Sequence, residues 1–196
     1  MKMNPRMHQR RSIRLKGFDY SQRGAYFVTI CTKDRALYFE KYQGLREIVR
    51  RQWKELPQRF PDLILDEFII MPNHIHGIII VGVGLVPALS YRATARVAPT
   101  FSGDRPAPTV REIVGTFKSL CIHDQLTYIK EKKIDVVGKL WQRNYYEHII
   151  RSENELNRIR EYIQNNALKW DLDKENPART GIDVLEEKIF QKCKKR

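Results

Sequence analysis

The chain has 196 residues, 42% hydrophobic and 10% aromatic, which suffices for one packed core and excludes wholesale disorder. Lysine and arginine outnumber aspartate and glutamate by 36 to 23, a net charge of +13, so the surface suits a polyanion, with nucleic acid ahead of an anionic membrane. Cys31, Cys121 and Cys193 are odd in number, far apart and outside any CxxC pattern, which excludes a disulfide framework and a zinc ribbon and points to the reducing cytoplasm.

Residues 1–23 carry seven basic side chains and one acidic, and read as an extended basic arm without the apolar h-region of a signal peptide or the amphipathic face of a transit peptide. GAYFVTICTKDR, 24–35, is rich in β-branched and aromatic residues and predicts a strand. Leu45, Ile48, Val49, Trp53 and Leu56 then follow helical spacing within 42–60, with Pro57 and Pro61 ending the helix. Arg46, Arg50 and Lys54 lie on its outer face, as a solvated stripe or as phosphate contacts. LILDEFIIM, 63–71, and HIHGIIIV, 74–81, predict two strands of a hairpin turned at Pro72-Asn73.

Residues 82–109 are rich in Gly, Pro, Ala and Arg, lack periodicity and contain APT twice, which predicts a flexible insertion. The longest apolar stretch, from Gly77 to Leu89, is broken by glycines and Pro87. It is shorter than the roughly 20 residues a bilayer requires, so no membrane role and a cytoplasmic location are expected. Thr109 and Glu112 form a capping box that starts a helix with Val110, Ile113, Val114, Phe117 and Cys121 inward. KEKKID, 130–135, predicts a charged connector, and KLWQRNYYEHII, 139–150, a strand. A second capping box, Ser152 and Glu155, opens a helix burying Leu156, Ile159, Ile163, Ala167 and Trp170. Residues 171–196 read as a polar basic tail. The order β-α-β-β-α-β plus one helix predicts an α+β, ferredoxin-like (split βαβ) fold. Its antiparallel four-stranded sheet has helices on one face, joined by a C-terminal tyrosine-bearing helix.

His74 and His76 stand two apart on a strand and so point to one face, with Ile75 toward the core. Such a pair is either two ordinary strand histidines near the surface or half of a divalent-metal site. Tyr162 and Asn166 are spaced i, i+4 beside the apolar stripe of the last helix. They are either packing and capping residues, or a hydroxyl and an amide converging on the histidines. Tyr145 and Tyr146 point opposite ways on their strand, one to the core and one to the surface. His148 is a strand histidine or a group supporting the metal ligands. Arg11, Arg14 and Lys16 of the arm, with Lys118 and Arg143, are either DNA phosphate contacts or solvated surface.

Several motifs in order, RRSIRLKGFDYSQRGAYFVTICT, FIIMPNHIHGIIIV, VREIVGTFKSL, LWQRNYYEHIIRSENEL and REYIQNNALKW, cover roughly residues 10–170. In these the chain resembles the REP-associated tyrosine transposases, a branch of the single-tyrosine HUH transposases. The resemblance implies that 24–170 is an HUH nuclease domain, with His74, His76 and Asn166 holding Mg²⁺ or Mn²⁺ and Tyr162 as the nucleophile. Ala167 stands where the family usually has proline, and the 82–109 insertion departs from its compact members. The implied activity is cleavage of single-stranded DNA beside a hairpin through a 5′-phosphotyrosine, followed by strand transfer, by a monomer or a homodimer. The alternatives are a non-catalytic DNA-binding protein of the same fold and a metal-dependent hydrolase that uses water.

Overall fold

A computed structural model describes residues 24–82, 108–134 and 138–190. The arm 1–23 with Arg11, Arg14 and Lys16, most of the 82–109 insertion and residues 191–196 lie outside the described residues. Strand β1 (Gly24–Cys31) leads through a 3-10 turn (Lys33–Arg35) and the short helix α1 (Tyr38–Lys41) into α2 (Gln43–Arg59). The hairpin β2 (Leu63–Ile70) and β3 (His74–Val81) follows, then α3 (Val110–Lys132), β4 (Tyr146–Ile150) and α4 (Glu153–Asn166). A second 3-10 turn (Ala167–Leu172) and helix α5 (Val184–Phe190) complete the described chain. The four strands are antiparallel neighbours in the order β2-β3-β1-β4, the split βαβ arrangement expected.

Alternation along the central strands divides the side chains between two cores. Tyr26, Val28, Ile30, Ile75 and Ile79 face α2 and α3, where Trp53, Phe117 and Cys121 are buried with them. Phe27, Ile78, Ile80 and Ile150 face α4 and α5, against Leu156, Ile159, Tyr162 and Ile163. Each large apolar side chain buried in this way contributes about 1.5–3 kcal/mol, so both faces of β1 and β3 are anchored strongly. The absence of a side chain at Gly77 matters here: a Cβ there would lie 2.4 Å from Trp53 Cζ2. That indole cannot swing aside freely, because it stacks on Phe68 at 4.6 Å and meets the edge of Phe117 at 5.4 Å.

Several boundaries differ from the sequence reading. Helix α2 runs past Pro57 to Arg59, because the proline lies in its last turn and Phe60 N–H still bonds Leu56 C=O at 3.0 Å. Helix α3 absorbs the start of the charged connector and stops at Lys133, whose backbone is left-handed. Strand β4 covers only 146–150 of the expected 139–150. Trp141 forms an isolated bridge to Thr32, and the carbonyls of Gln142, Arg143 and Asn144 turn toward Lys118 Nζ instead of continuing the ladder. Thr109 and Glu112 form the full capping box. At Ser152 only half of one forms, since Glu155 turns its carboxylate to Arg151 N–H and His148 Nε2.

The largest difference is the segment read as a polar tail. Residues 171–190 fold back over the α4 face of the sheet: Asp173 is buried, Asn73 Nδ2 donates to Glu175 C=O at 2.7 Å, and Ile189 and Phe190 join the second core. Its charges are paired, Arg35 with Glu175 at 2.8 Å and Lys174 with Glu186 at 2.6 Å, so a polar sequence packs without a run of apolar residues. Among the described residues no helix is long and apolar enough to cross a membrane.

Candidate metal centre and nucleophile

Strand β3 is central, with β1 and β2 on either side and a layer of helix on each face, so His74 and His76 are both 0% exposed. The expectation of surface imidazoles fails for that reason, while their shared face and the inward Ile75 agree with it. The two Nε2 atoms are 2.9 Å apart. Asp173 Oδ2, from the loop after the second 3-10 turn, lies 3.5 Å from His74 Nε2 and 3.7 Å from His76 Nε2. These three side chains form a group able to hold a metal ion.

The surroundings orient the ligands. Asn73 Nδ2 donates to Arg35 C=O and Glu175 C=O, leaving its Oδ1 to accept from His74 Nδ1–H at 2.8 Å. The lone pair of His74 therefore sits on Nε2 and faces the centre. His76 Nδ1 pairs with Thr29 Oγ1 at 2.9 Å, a hydroxyl that serves either tautomer. With Nδ1–H on both rings, two Nε2 lone pairs and a carboxylate oxygen converge, the donor set of a divalent cation supported from behind by hydrogen bonds. Asp173 Oδ2 and Asn166 Oδ1 are among the buried oxygens of the described residues without a hydrogen-bond partner. An unpaired buried oxygen is costly, and a cation held by the two Nε2 atoms and Asp173 Oδ2 would satisfy the latter.

Tyr162 and Asn166 sit one turn apart on α4, 2% exposed each. The Tyr162 hydroxyl is 3.3 Å from His76 Nε2, and its ring lies 5.3 Å from the imidazole. Burial, then the negative charges of Glu186 and Asp173, push this hydroxyl well above the usual tyrosine range, partly offset by a hydrogen bond with Asn166. Burial also pushes His76 down to about 3, helped by the neighbouring His74 charge. For Asp173 burial alone would raise the carboxyl, but the two facing histidines outweigh it and hold the group well below the carboxylate range. His76 is thus set to present a neutral imidazole and Asp173 a carboxylate, while the Tyr162 hydroxyl stays protonated.

Of the remaining expected residues, His148 is tied to Glu155 at 2.9 Å and separated from His76 by Phe27, whose ring stacks on His76 at 5.2 Å. Lys118 directs its ammonium at the 142–144 carbonyls, and burial lowers it to about 8; Arg143 is exposed on that loop. Tyr145 packs on the first core and Tyr146 on the second, both half-buried, so neither is the surface residue expected. Asp173 was missed. It stands seven residues beyond Asn166, past a kink at Lys169, where no helical period links it to the tyrosine.

No protein-family model matches the chain. A solved structure of a REP-associated tyrosine transposase bound to a REP hairpin overlaps it with a TM-score of 0.47 and 18% identity, covering 80% of this chain and 74% of that one. A likeness of that size identifies neither activity nor partner for the present chain. A Haemophilus influenzae protein described as uncharacterised is 39% identical over 184 residues, which is 88% of this chain and 96% of the relative. The chain belongs to the same family as that Haemophilus influenzae protein.

Proposed function

We propose that the protein is a metal-dependent single-stranded DNA endonuclease and strand transferase that works through a 5′-phosphotyrosine. One observation carries the reading: a tyrosine hydroxyl lies 3.3 Å from one of two imidazoles that converge with a carboxylate in a buried group. Structural histidines and packing tyrosines have no need of such a set, or of unpartnered oxygens on Asp173 and Asn166. His74, His76 and Asp173, with Asn166 Oδ1 beside the nucleophile, would hold Mg²⁺ or Mn²⁺. Imidazole with carboxylate suits Mn²⁺ better than the oxygen-seeking Mg²⁺. When bound, such an ion supplies Lewis-acid polarisation of the scissile phosphodiester.

The chain's own residues account for the rest. Asn166 and His76 orient the Tyr162 hydroxyl, an otherwise weak nucleophile with a reference pKa of about 10. Tyr162 Oη forms a bond to phosphorus as the bond from phosphorus to the 3′ oxygen breaks, and the phenolic proton ends on the released 3′-OH. The phosphodiester energy is kept in the tyrosine linkage, so attack by another 3′-OH reverses the step and joins strands. For DNA to reach Tyr162, residues 167–190 must move aside, since tyrosine and both histidines are covered. That coverage also favours a second reading, a non-catalytic DNA-binding protein of the same fold.

Denaturing gel analysis with labelled single-stranded hairpin DNA and Mn²⁺ separates the two. A covalent adduct that EDTA prevents, and that Tyr162→Phe abolishes while binding persists, supports the endonuclease. Bound but uncut DNA under all conditions supports the second reading. An adduct mapped by mass spectrometry to the peptide holding Tyr145 and Tyr146, with Tyr162→Phe still active, overturns the assignment.

A further inference from the structure

Phe190, at the end of α5, sits in a cage of other rings. It stacks on Phe27 with 5.1 Å between centroids and 29° between planes. The rings of Tyr146 (5.7 Å, 90°), His148 (5.4 Å, 87°) and Tyr162 (5.7 Å, 79°) meet it edge-on. Phe27, Tyr146 and His148 belong to the sheet and Tyr162 to a capped helix, so four walls stand on rigid elements. Only the occupant comes from a helix of seven residues, too short to hold its form in isolation, and it remains half-buried while Phe27 is fully buried.

The mouth of the cage is charged in a telling way. Lys174 Nζ lies 5.1 Å from the centroids of both Phe190 and Tyr146, and it pairs with Glu186 Oε1 at 2.6 Å. Glu186 and Phe190 are four residues apart on α5, about 6 Å along a helix axis at 1.5 Å per residue. The helix therefore presents an anion to Lys174 and a flat ring to Phe27, spaced much as a nucleotide presents its phosphate and its base.

Resting on the reading of Tyr162 as a nucleophile toward DNA, we propose that this cage is a nucleobase seat. An unpaired base next to the cleaved phosphate stacks on Phe27, and its neighbouring phosphate meets Lys174. In the free chain Phe190 and Glu186 occupy those two positions. Stacking of this kind is worth about 1–3 kcal/mol per base and tolerates any base, because every base has a π-face.

The test is a fluorescence titration of single-stranded DNA carrying 2-aminopurine at successive positions of a tail beside a hairpin, in EDTA so that no cleavage proceeds. The full-length chain quenches the probe at one tail position. Phe190→Ala deepens that quenching and tightens binding on the order of tenfold, the lower part of the stacking range. An abasic residue at that position removes the gain, and Phe27→Leu combined with Phe190→Ala cancels both effects. Should Phe190→Ala unfold the chain, Phe190→Leu keeps an apolar anchor, and the same direction of change is expected. The seat is refuted if no position is quenched, or if the Phe190 variants bind the abasic strand equally tighter, which would make α5 only a cover. Binding without quenching in EDTA, with the adduct formed by the same strands in a parallel Mn²⁺ reaction, defeats the seat alone, whereas failure to bind any of these strands defeats the DNA reading beneath it.

Discussion

Replacing Asp173 by asparagine asks the most direct question of the metal centre. Asp173 Oδ1 accepts from Glu175 N–H at 2.7 Å, and Oδ2 points at the two Nε2 atoms. Asp173→Asn can keep the first contact and put an amide N–H where the second oxygen stood, so volume and loop geometry persist while the anionic ligand is lost. Without metal, the amide can donate to an imidazole lone pair, but the carboxylate that the folded site favours over its neutral form is lost. The metal-free thermal midpoint should fall.

The response to metal should fall sharply. Loss of a group that only supports a ligand already weakens metal binding about 10–100-fold, and a direct ligand should lose at least that. At Mn²⁺ set to 100 times the wild-type Kd, binding stabilises the native chain by about 2.7 kcal/mol. A tenfold weaker site leaves about 1.4 kcal/mol under the same conditions, and a hundredfold weaker site about 0.4 kcal/mol. Thermal unfolding with and without Mn²⁺, alongside calorimetric titration, reads both quantities. An Mn²⁺-induced shift in Asp173→Asn as large as in the wild type would remove Asp173 from the ligand set, and no shift in the wild type would remove the metal centre.

Acid should destabilise the metal-free chain through His76, whose folded-state pKa of about 3 lies below the ordinary 6.5. Between those values the unfolded chain binds the extra proton, so stability rises with pH and is lost on acidification, at up to about 1.4 kcal/mol per pH unit. Chemical denaturation from pH 7 to pH 4 should show a steeper loss for the wild type than for His76→Gln; equal slopes would contradict it. Gly77→Ala should destabilise by about 1–3 kcal/mol, because the new methyl meets Trp53 in a packed ring stack, and unchanged urea unfolding would show that the stack yields freely. Replacing 83–107 with a short Gly/Ser linker, while retaining Thr109 as the cap of α3, should preserve folding and adduct formation because closure cost grows slowly with loop length. Loss of the adduct with the fold intact would make that segment part of the DNA-binding surface.

What could be read in the chain depended on period. His74 and His76 at spacing two, and Tyr162 and Asn166 at spacing four, share a face whatever the tertiary structure, so each pair was visible before the fold. The capping residues Thr109 and Ser152 located two helix starts for the same local reason. Burial was less visible, although HIHGIIIV is an almost unbroken apolar run, as a strand covered on both faces tends to be. Two histidines inside such a run are desolvated by the fold, which makes their convergence a stronger sign of a ligand than an exposed pair would be.

Asp173 carried no periodic signal because it reaches the site through irregular chain, and Phe190 because its helix is only seven residues long. Lys169 breaks the helical course after α4 with φ −112° and ψ 23°, and the segment then returns across the sheet, held by Asn73 and Arg35. Asn73, next to the first histidine, is the joint between the two halves. Its Oδ1 sets the tautomer of His74, and its Nδ2 holds the Glu175 carbonyl two residues beyond Asp173. One amide thus orients a ligand from β3 and positions the strand of chain that delivers the third. The turn residue that the sequence marks only as a hairpin signal couples placement of the C-terminal segment to assembly of the proposed metal site. On the reading proposed above, movement of residues 167–190 to admit DNA would withdraw Asp173 and free the place of one ligand, and a phosphate oxygen of the DNA has the charge and donor type to take it.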